Sequence, residues 1–128
     1  MIRIQESPLG VQNIIKNTAI RDGVGVKIGI EEDPGQAGVA DAEHLTRMLQ
    51  GFSVKRNRVM KDKLTRALPV SSQSEAGNIK ILRAKWNDDF FRETENFPEG
   101  KHDDIVDAFS GAFNLINSDV YNLAALAR

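Results

Sequence analysis

From Val24 to Glu31 the chain reads VGVKIGIE, with Val24, Val26, Ile28 and Ile30 on one side and the glycines, Lys27 and Glu31 on the other. This period of two predicts a strand over 24–31 with one face toward a core. Helical spacing precedes it: Ser7 and Pro8 supply a cap and a first-turn proline, and Val11, Ile14, Ile15 and Ala19 recur as far as Asp22-Gly23. After the turn EDPGQAG, the positions of Val39, Ala42, Leu45, Met48 and Leu49 predict a second helix, ended by Gly51. FSVKRN over 52–57 predicts the next strand, and weaker signals predict short strands over 1–6 (MIRIQE) and 78–82 (NIKIL). A mostly polar helical stretch from Lys61 is interrupted by Pro69. Helices are expected over 86–95 and 103–116, and residues 117–128, which carry no cap or pairing signal, read as a loosely ordered tail. Strands separated by helices of ten or more residues are the pattern of an α/β domain with parallel pairing.

At 128 residues and 41% hydrophobic content, one core and a single domain over 1–128 are expected. No cysteine is present, which removes disulfides and thiolate metal ligands and suits a reducing, cytoplasmic setting. No apolar run reaches the ~20 residues of a membrane span, and MIRIQESPLG lacks the apolar core of a signal peptide. The net charge of −1 gives no global sign of a nucleic-acid partner. Locally the balance changes: KRNRVMKDKLTR carries Lys55, Arg56, Arg58, Lys61, Lys63 and Arg66 against Asp62 alone. Such a cluster suits sequence-independent phosphate contacts, and composition makes a solvated, charged connector an equal reading.

The densest chemistry lies in KHDDIVDAF, residues 101–109. If a helix begins near Asp103, then Ile105, Phe109, Ala112, Phe113 and Ile116 form a core stripe, and Asp103, Asp104 and Asp107 gather along one edge of the first turns. Asp103 and Asp104 taken alone are explained by the helix dipole, at roughly 0.3–1 kcal/mol each. Asp107 sits a full turn in, between Val106 and Ala108, where a carboxylate needs a cation to relieve it. A divalent metal is one such cation. His102 reads as a ligand, a proton shuttle or an exposed loop residue, and spacing favours the loop. A second acidic point, Glu31-Glu32, closes the best strand, where these acids either solvate a turn or face a ligand beyond the strand end. Oxygen ligands alone suit Mg²⁺ or Mn²⁺ and not zinc, and such clusters commonly hold two ions about 3.5–4 Å apart for phosphodiester hydrolysis. Trp86, Phe90, Phe91 and Phe97 come at helical spacing and read as packing residues, not a base-stacking platform, and His44 as exposed.

The strings IGIEEDPGQAG, DKLTRALPVSSQSEAGNIKIL and KWNDDFFRETENFPEGKHDDIVDAFSGAF, spread in order from about Pro8 to Phe113, closely resemble the C-terminal nuclease domain of the large subunit of tailed-phage DNA-packaging terminases. The resemblance implies a ribonuclease H-like, RuvC-like sheet with flanking helices, and cleavage of concatemeric double-stranded viral DNA with two divalent ions, Mg²⁺ or Mn²⁺. It implies as partners an ATPase domain in the same polypeptide, the small terminase subunit and the portal, in the cytoplasm of a bacterial host, with no membrane. It places the strand-end acid on Glu31, the helix acid on Asp107 and an auxiliary ligand on Asp104. Asp103, His102 and Glu32 lie beside these with less definite roles, and Lys63 and Arg66 fall in the matched DKLTRA.

Two departures go with the match. The family's metal site begins with an aspartate on a first strand upstream of everything here, and no Gly-rich loop ending in Lys-Ser/Thr marks the ATPase. The expectation is a partial domain, either a cloned piece or a prophage remnant. Its first two strands would be missing from between 1–6 and 24–31, leaving an open sheet edge that favours homo-oligomers. The functional alternatives are a metal-dependent endonuclease and an inactive remnant serving as a DNA-binding or assembly module; the missing aspartate favours inactivity.

Overall fold

Ser7 starts the first helix, its Oγ accepting the Gly10 N–H at 3.2 Å with Pro8 in the first turn. The computed structural model describes residues 1–126, and side chains as far as residue 118. Helix α1 spans Pro8–Asp22 and stops at Gly23, whose φ of 86° is available to glycine at little cost. Strand β1 (Lys27–Glu32), helix α2 (Gln36–Met48) and strand β2 (Ser53–Arg58) follow. Among the described residues these two strands form the only sheet, paired parallel with Lys27 beside Ser53 and Glu32 beside Arg58. This is the βαβ arrangement that the alternation of periods predicts. The mixed α/β class is thus present, with five helices and a two-stranded sheet among the described residues.

The chain forms two compact units, divided between Met60 and Lys61. In the first, Ala19, Ile30, Ala42 and Leu49 make the core, with Ile15, Ile28, Leu45, Met48, Phe52 and Val54 packed around them. Leu49 is fully enclosed, so truncating it to alanine should cost about 2–5 kcal/mol. Gly38 allows α2 to approach the preceding turn, because a Cβ there would lie 2.4 Å from the Asp33 carbonyl oxygen.

The first unit corrects the sequence reading twice. Residues 1–6 form no strand, and Ile2 and Ile4 instead line an apolar groove with α1 and β1. The strand expected from Val24 begins at Lys27, because Gly23 to Val26 make a turn in which the Val26 N–H donates to the Gly23 carbonyl at 3.2 Å. Val24 and Val26 are therefore exposed.

The second unit contains helices α3 (Lys63–Glu75), α4 (Asn87–Asn96) and α5 (Asp104–Leu126). Asp62 caps α3 by accepting the Thr65 N–H at 2.9 Å and its hydroxyl at 2.7 Å. Helix α3 runs through Pro69 uninterrupted, with Ala67 and Val70 buried on either side of it, so packing outweighs one lost backbone bond. Phe90 of α4 stacks edge to face on Trp86, Phe91 and Phe109, with centroids 5.9, 5.7 and 5.2 Å apart. Residues 78–82 form no strand, and among the described residues this unit has no other strand; Ile79 and Ile81 pack beside Phe90 and Phe97 around a cavity.

Helix α5, expected over 103–116, continues to Leu126, and residues 127–128 of the expected tail lie outside the described residues. As far as residue 118, its buried positions are Ile105, Val106, Ser110 and Leu115, whereas Ala112 and Ile116 are exposed. Among the described residues the covered set thus departs from the expected stripe: Ile105 is common to both, Val106 and Leu115 are buried in addition, and Ala112 and Ile116 are not covered.

Candidate metal and nucleic-acid site

In the second unit, the first turn of α5 faces the first turn of α3. The Asp107 N–H donates to the Asp103 carbonyl at 2.9 Å, which makes Asp103 the entry residue of α5. Its side chain does not cap the helix. Instead Asp103 Oδ2 accepts from Lys63 Nζ at 2.7 Å, and the same ammonium lies 2.8 Å from Asp107 Oδ2. The other Asp107 oxygen, Oδ1, accepts from Arg66 Nη2 at 2.7 Å. Asp107, 15% exposed, is thus held by two cations from consecutive turns of one helix. The two carboxylates, Asp103 foremost, hold the Lys63 ammonium pKa well above the ordinary lysine value. Asn114 ties the same helices together one level on, its Nδ2 donating to the Arg66 carbonyl at 3.1 Å.

The free N–H groups at the start of α5 are met from elsewhere. Glu93 of α4, buried, accepts from the N–H of Ile105 and, at 3.3 Å, of Val106. Sequence reasoning missed this residue. The signal was there, for Glu93 falls on the apolar stripe of Trp86, Phe90 and Phe97, and an acid on a buried stripe needs donors.

The first unit separates its two strand-end acids. Glu32, buried on the same sheet face as Ile28 and Ile30, takes Arg56 Nε at 2.8 Å and lies 3.4 Å from Arg58 Nε. Glu31 points from the opposite, exposed face. Of the clustered cations, Arg56, Arg58, Lys63 and Arg66 therefore reach carboxylates of their own unit. Lys55 and Lys61 are exposed, as are Asp104, His102 and His44. Among the described residues, no three carboxylates or imidazoles come together closely enough to hold a metal ion. In the second unit Asp103 and Asp107 each place a carboxylate oxygen on one cation, the Lys63 ammonium. No helix among the described residues is long and apolar enough to cross a membrane.

The sequence profile of the terminase RNaseH-like domain family matches residues 3–115. No curated protein and no solved structure matches the chain. The profile takes in both compact units, including β1, the basic cluster, Glu93 and the acidic start of α5, and on that coverage the chain belongs to the terminase RNaseH-like domain family.

Proposed function

We infer that the chain acts as the nuclease module of a DNA-packaging terminase, hydrolysing phosphodiesters of double-stranded viral DNA with Mg²⁺ or Mn²⁺. The observation that carries this reading is the Lys63 ammonium, 2.7 Å from Asp103 Oδ2 and 2.8 Å from Asp107 Oδ2. Two carboxylates that converge on one cationic centre through oxygen alone are a donor set suited to a hard divalent ion. A divalent ion held there would align an attacking water and take up charge on the leaving oxygen. Asp107 is the principal ligand in this reading and Asp103 its partner. Arg66 fixes the Asp107 carboxylate by holding its second oxygen. Lys63 would have to leave the pair for an ion to be held there, and its half-exposed side chain would then be available to a phosphate.

Asp104 and His102, exposed beside the pair, are proposed as auxiliary groups. Glu31, and Glu32 less directly, are proposed for the same chemistry on the family resemblance, each to be tested by its own substitution. Lys55 and Lys61 are proposed to contact DNA phosphates, with Arg56 and Arg58 setting the positive potential around them. In this reading β1 and β2 are two strands of a ribonuclease H-like sheet. The ATPase domain, small terminase subunit and portal are the proposed partners, in a bacterial host.

A second reading has an observation in its favour: no three acidic or imidazole groups gather among the described residues. On this reading the chain binds DNA or assembles without cutting. Incubation of plasmid DNA with Mn²⁺ and either the wild type or Asp107→Asn separates the two. Nicking by the wild type that Asp107→Asn abolishes supports the nuclease. Salt-sensitive DNA binding with no nicking by either protein supports the binding module.

A further inference from the structure

Ser7, Asp62 and Asp103 each stand at the entry of a helix with a side chain able to accept the free N–H groups of its first turn, and they do not all do so. Ser7 accepts the Gly10 N–H at 3.2 Å at the start of α1, and Asp62 the Thr65 N–H at 2.9 Å at the start of α3. Asp103 holds the same place at α5, where Val106 stands to it as Thr65 stands to Asp62. Its carboxylate nevertheless turns away from its own helix, to the Lys63 ammonium at 2.7 Å.

The N–H groups that Asp103 leaves alone belong to Ile105 and Val106, both buried. Covered donors of this kind need an acceptor within the protein. Glu93 of α4, itself buried, provides it, one carboxylate oxygen taking both N–H groups. Packing holds Glu93 in place, because Phe90, on the preceding turn of α4, meets Phe109 of α5 edge to face at 5.2 Å. Without that oxygen, the entry residue is the acceptor nearest in the chain, and rotation of the Asp103 side chain onto the Ile105 or Val106 N–H takes it off Lys63.

We propose that Glu93 is a positioning residue: by accepting the Ile105 and Val106 N–H groups in place of the helix-entry residue, it keeps the Asp103 carboxylate turned out beside Asp107, where both meet one cation. That a divalent ion takes the place of this cation rests on the nuclease reading; the direction in which Asp103 points does not. Asp62, with no such substitute, is spent on its own helix.

Crystal structures of the metal-free wild type, Glu93→Met and Glu93→Gln test the direction. Glu93→Met fills the buried site without an acceptor, and Glu93→Ala serves beside it as a second variant of the same kind. In both, Asp103 should sit on the Ile105 or Val106 N–H and be parted from Lys63, whereas Glu93→Gln, which retains a carbonyl oxygen, should leave Asp103 on Lys63. An Asp103 that stays on Lys63 in Glu93→Met and Glu93→Ala overturns the proposal. Calorimetric titration with Mn²⁺ then tests the route. Glu93→Met should weaken binding about tenfold or more, as loss of a group that orients a metal ligand does. Asp103→Ala should weaken it at least as much, and the double variant no further than Asp103→Ala alone, since Glu93 acts through Asp103. Glu93→Gln should stay within about twofold of the wild type. Losses that add in the double variant, or a Glu93→Gln as weak as Glu93→Met, are what a merely structural role gives, and overturn the proposal. A wild type that binds no Mn²⁺ overturns the nuclease reading instead, and the position of Asp103 in Glu93→Met then decides the role of Glu93.

Discussion

Arg66 and Asp107 face each other across α3 and α5, Nη2 to Oδ1 at 2.7 Å, with 19% and 15% of their side chains exposed. Removing one member of a fully buried pair costs about 3–5 kcal/mol, because the other charge is left without a partner. Here some exposure remains and Lys63 still neutralises Asp107. Arg66→Met should therefore cost roughly 1–3 kcal/mol, and Lys63→Met, at a half-exposed site, under about 1 kcal/mol. Urea unfolding of the two variants checks the order, which a costlier Lys63→Met would reverse.

The Glu93 carboxylate supplies the second expectation. Glu93→Ala leaves the Ile105 and Val106 N–H groups without their acceptor inside the protein, at about 1–3 kcal/mol. Glu93→Gln keeps a carbonyl oxygen there and loses only the charge at the helix start, about 0.3–1 kcal/mol. Denaturation midpoints should fall in the order wild type, glutamine, alanine.

Much of the first unit was legible because local signals and packing agree there. Ser7-Pro8, the alternation around Ile28 and Ile30, and Gly51 each point to the element that forms. Residues 1–6 and 78–82 alternate too, but a strand also needs a neighbour, and sequence spacing does not show one. The covered positions of α5 were hidden because the exposed Ala108, Ala112 and Ile116 are as apolar as the buried Ile105, Val106 and Leu115. At the acidic site, the acids and bases were each readable as types. What spacing could not reveal is that Lys63 and Arg66, some 40 residues upstream, reach Asp103 and Asp107, since that contact depends on how α3 packs on α5.

Gly38→Ala should destabilise the first unit by about 1–3 kcal/mol, because the new methyl meets the fixed Asp33 carbonyl and not a side chain that can turn away. Thermal unfolding of the variant should show a clear fall. An unchanged midpoint would mean that the turn after β1 yields freely.

The Asp62 cap predicts a pH dependence. The Thr65 N–H, and then its hydroxyl, hold the Asp62 pKa below the ordinary aspartate value of 3.8. A folded pKa below the unfolded one contributes stability that is present above the unfolded value and is lost as pH falls through the folded one. The stability difference between wild type and Asp62→Ala should accordingly be constant near neutrality and shrink below about pH 4. Urea titrations at several pH values check the sign, and a difference that grows on acidification would contradict it.

In the proposed function, the Asp103–Asp107 pair holds a divalent ion in place of the Lys63 ammonium. Calorimetric titration of Mn²⁺ into the wild type, Lys63→Met and Asp107→Ala tests it most directly. Release of a competing ion pair of up to about 1 kcal/mol should tighten Mn²⁺ binding by Lys63→Met around fivefold, and Asp107→Ala should lose the binding heat. Equal Mn²⁺ binding by the wild type and Asp107→Ala, or weaker binding by Lys63→Met, would contradict the account.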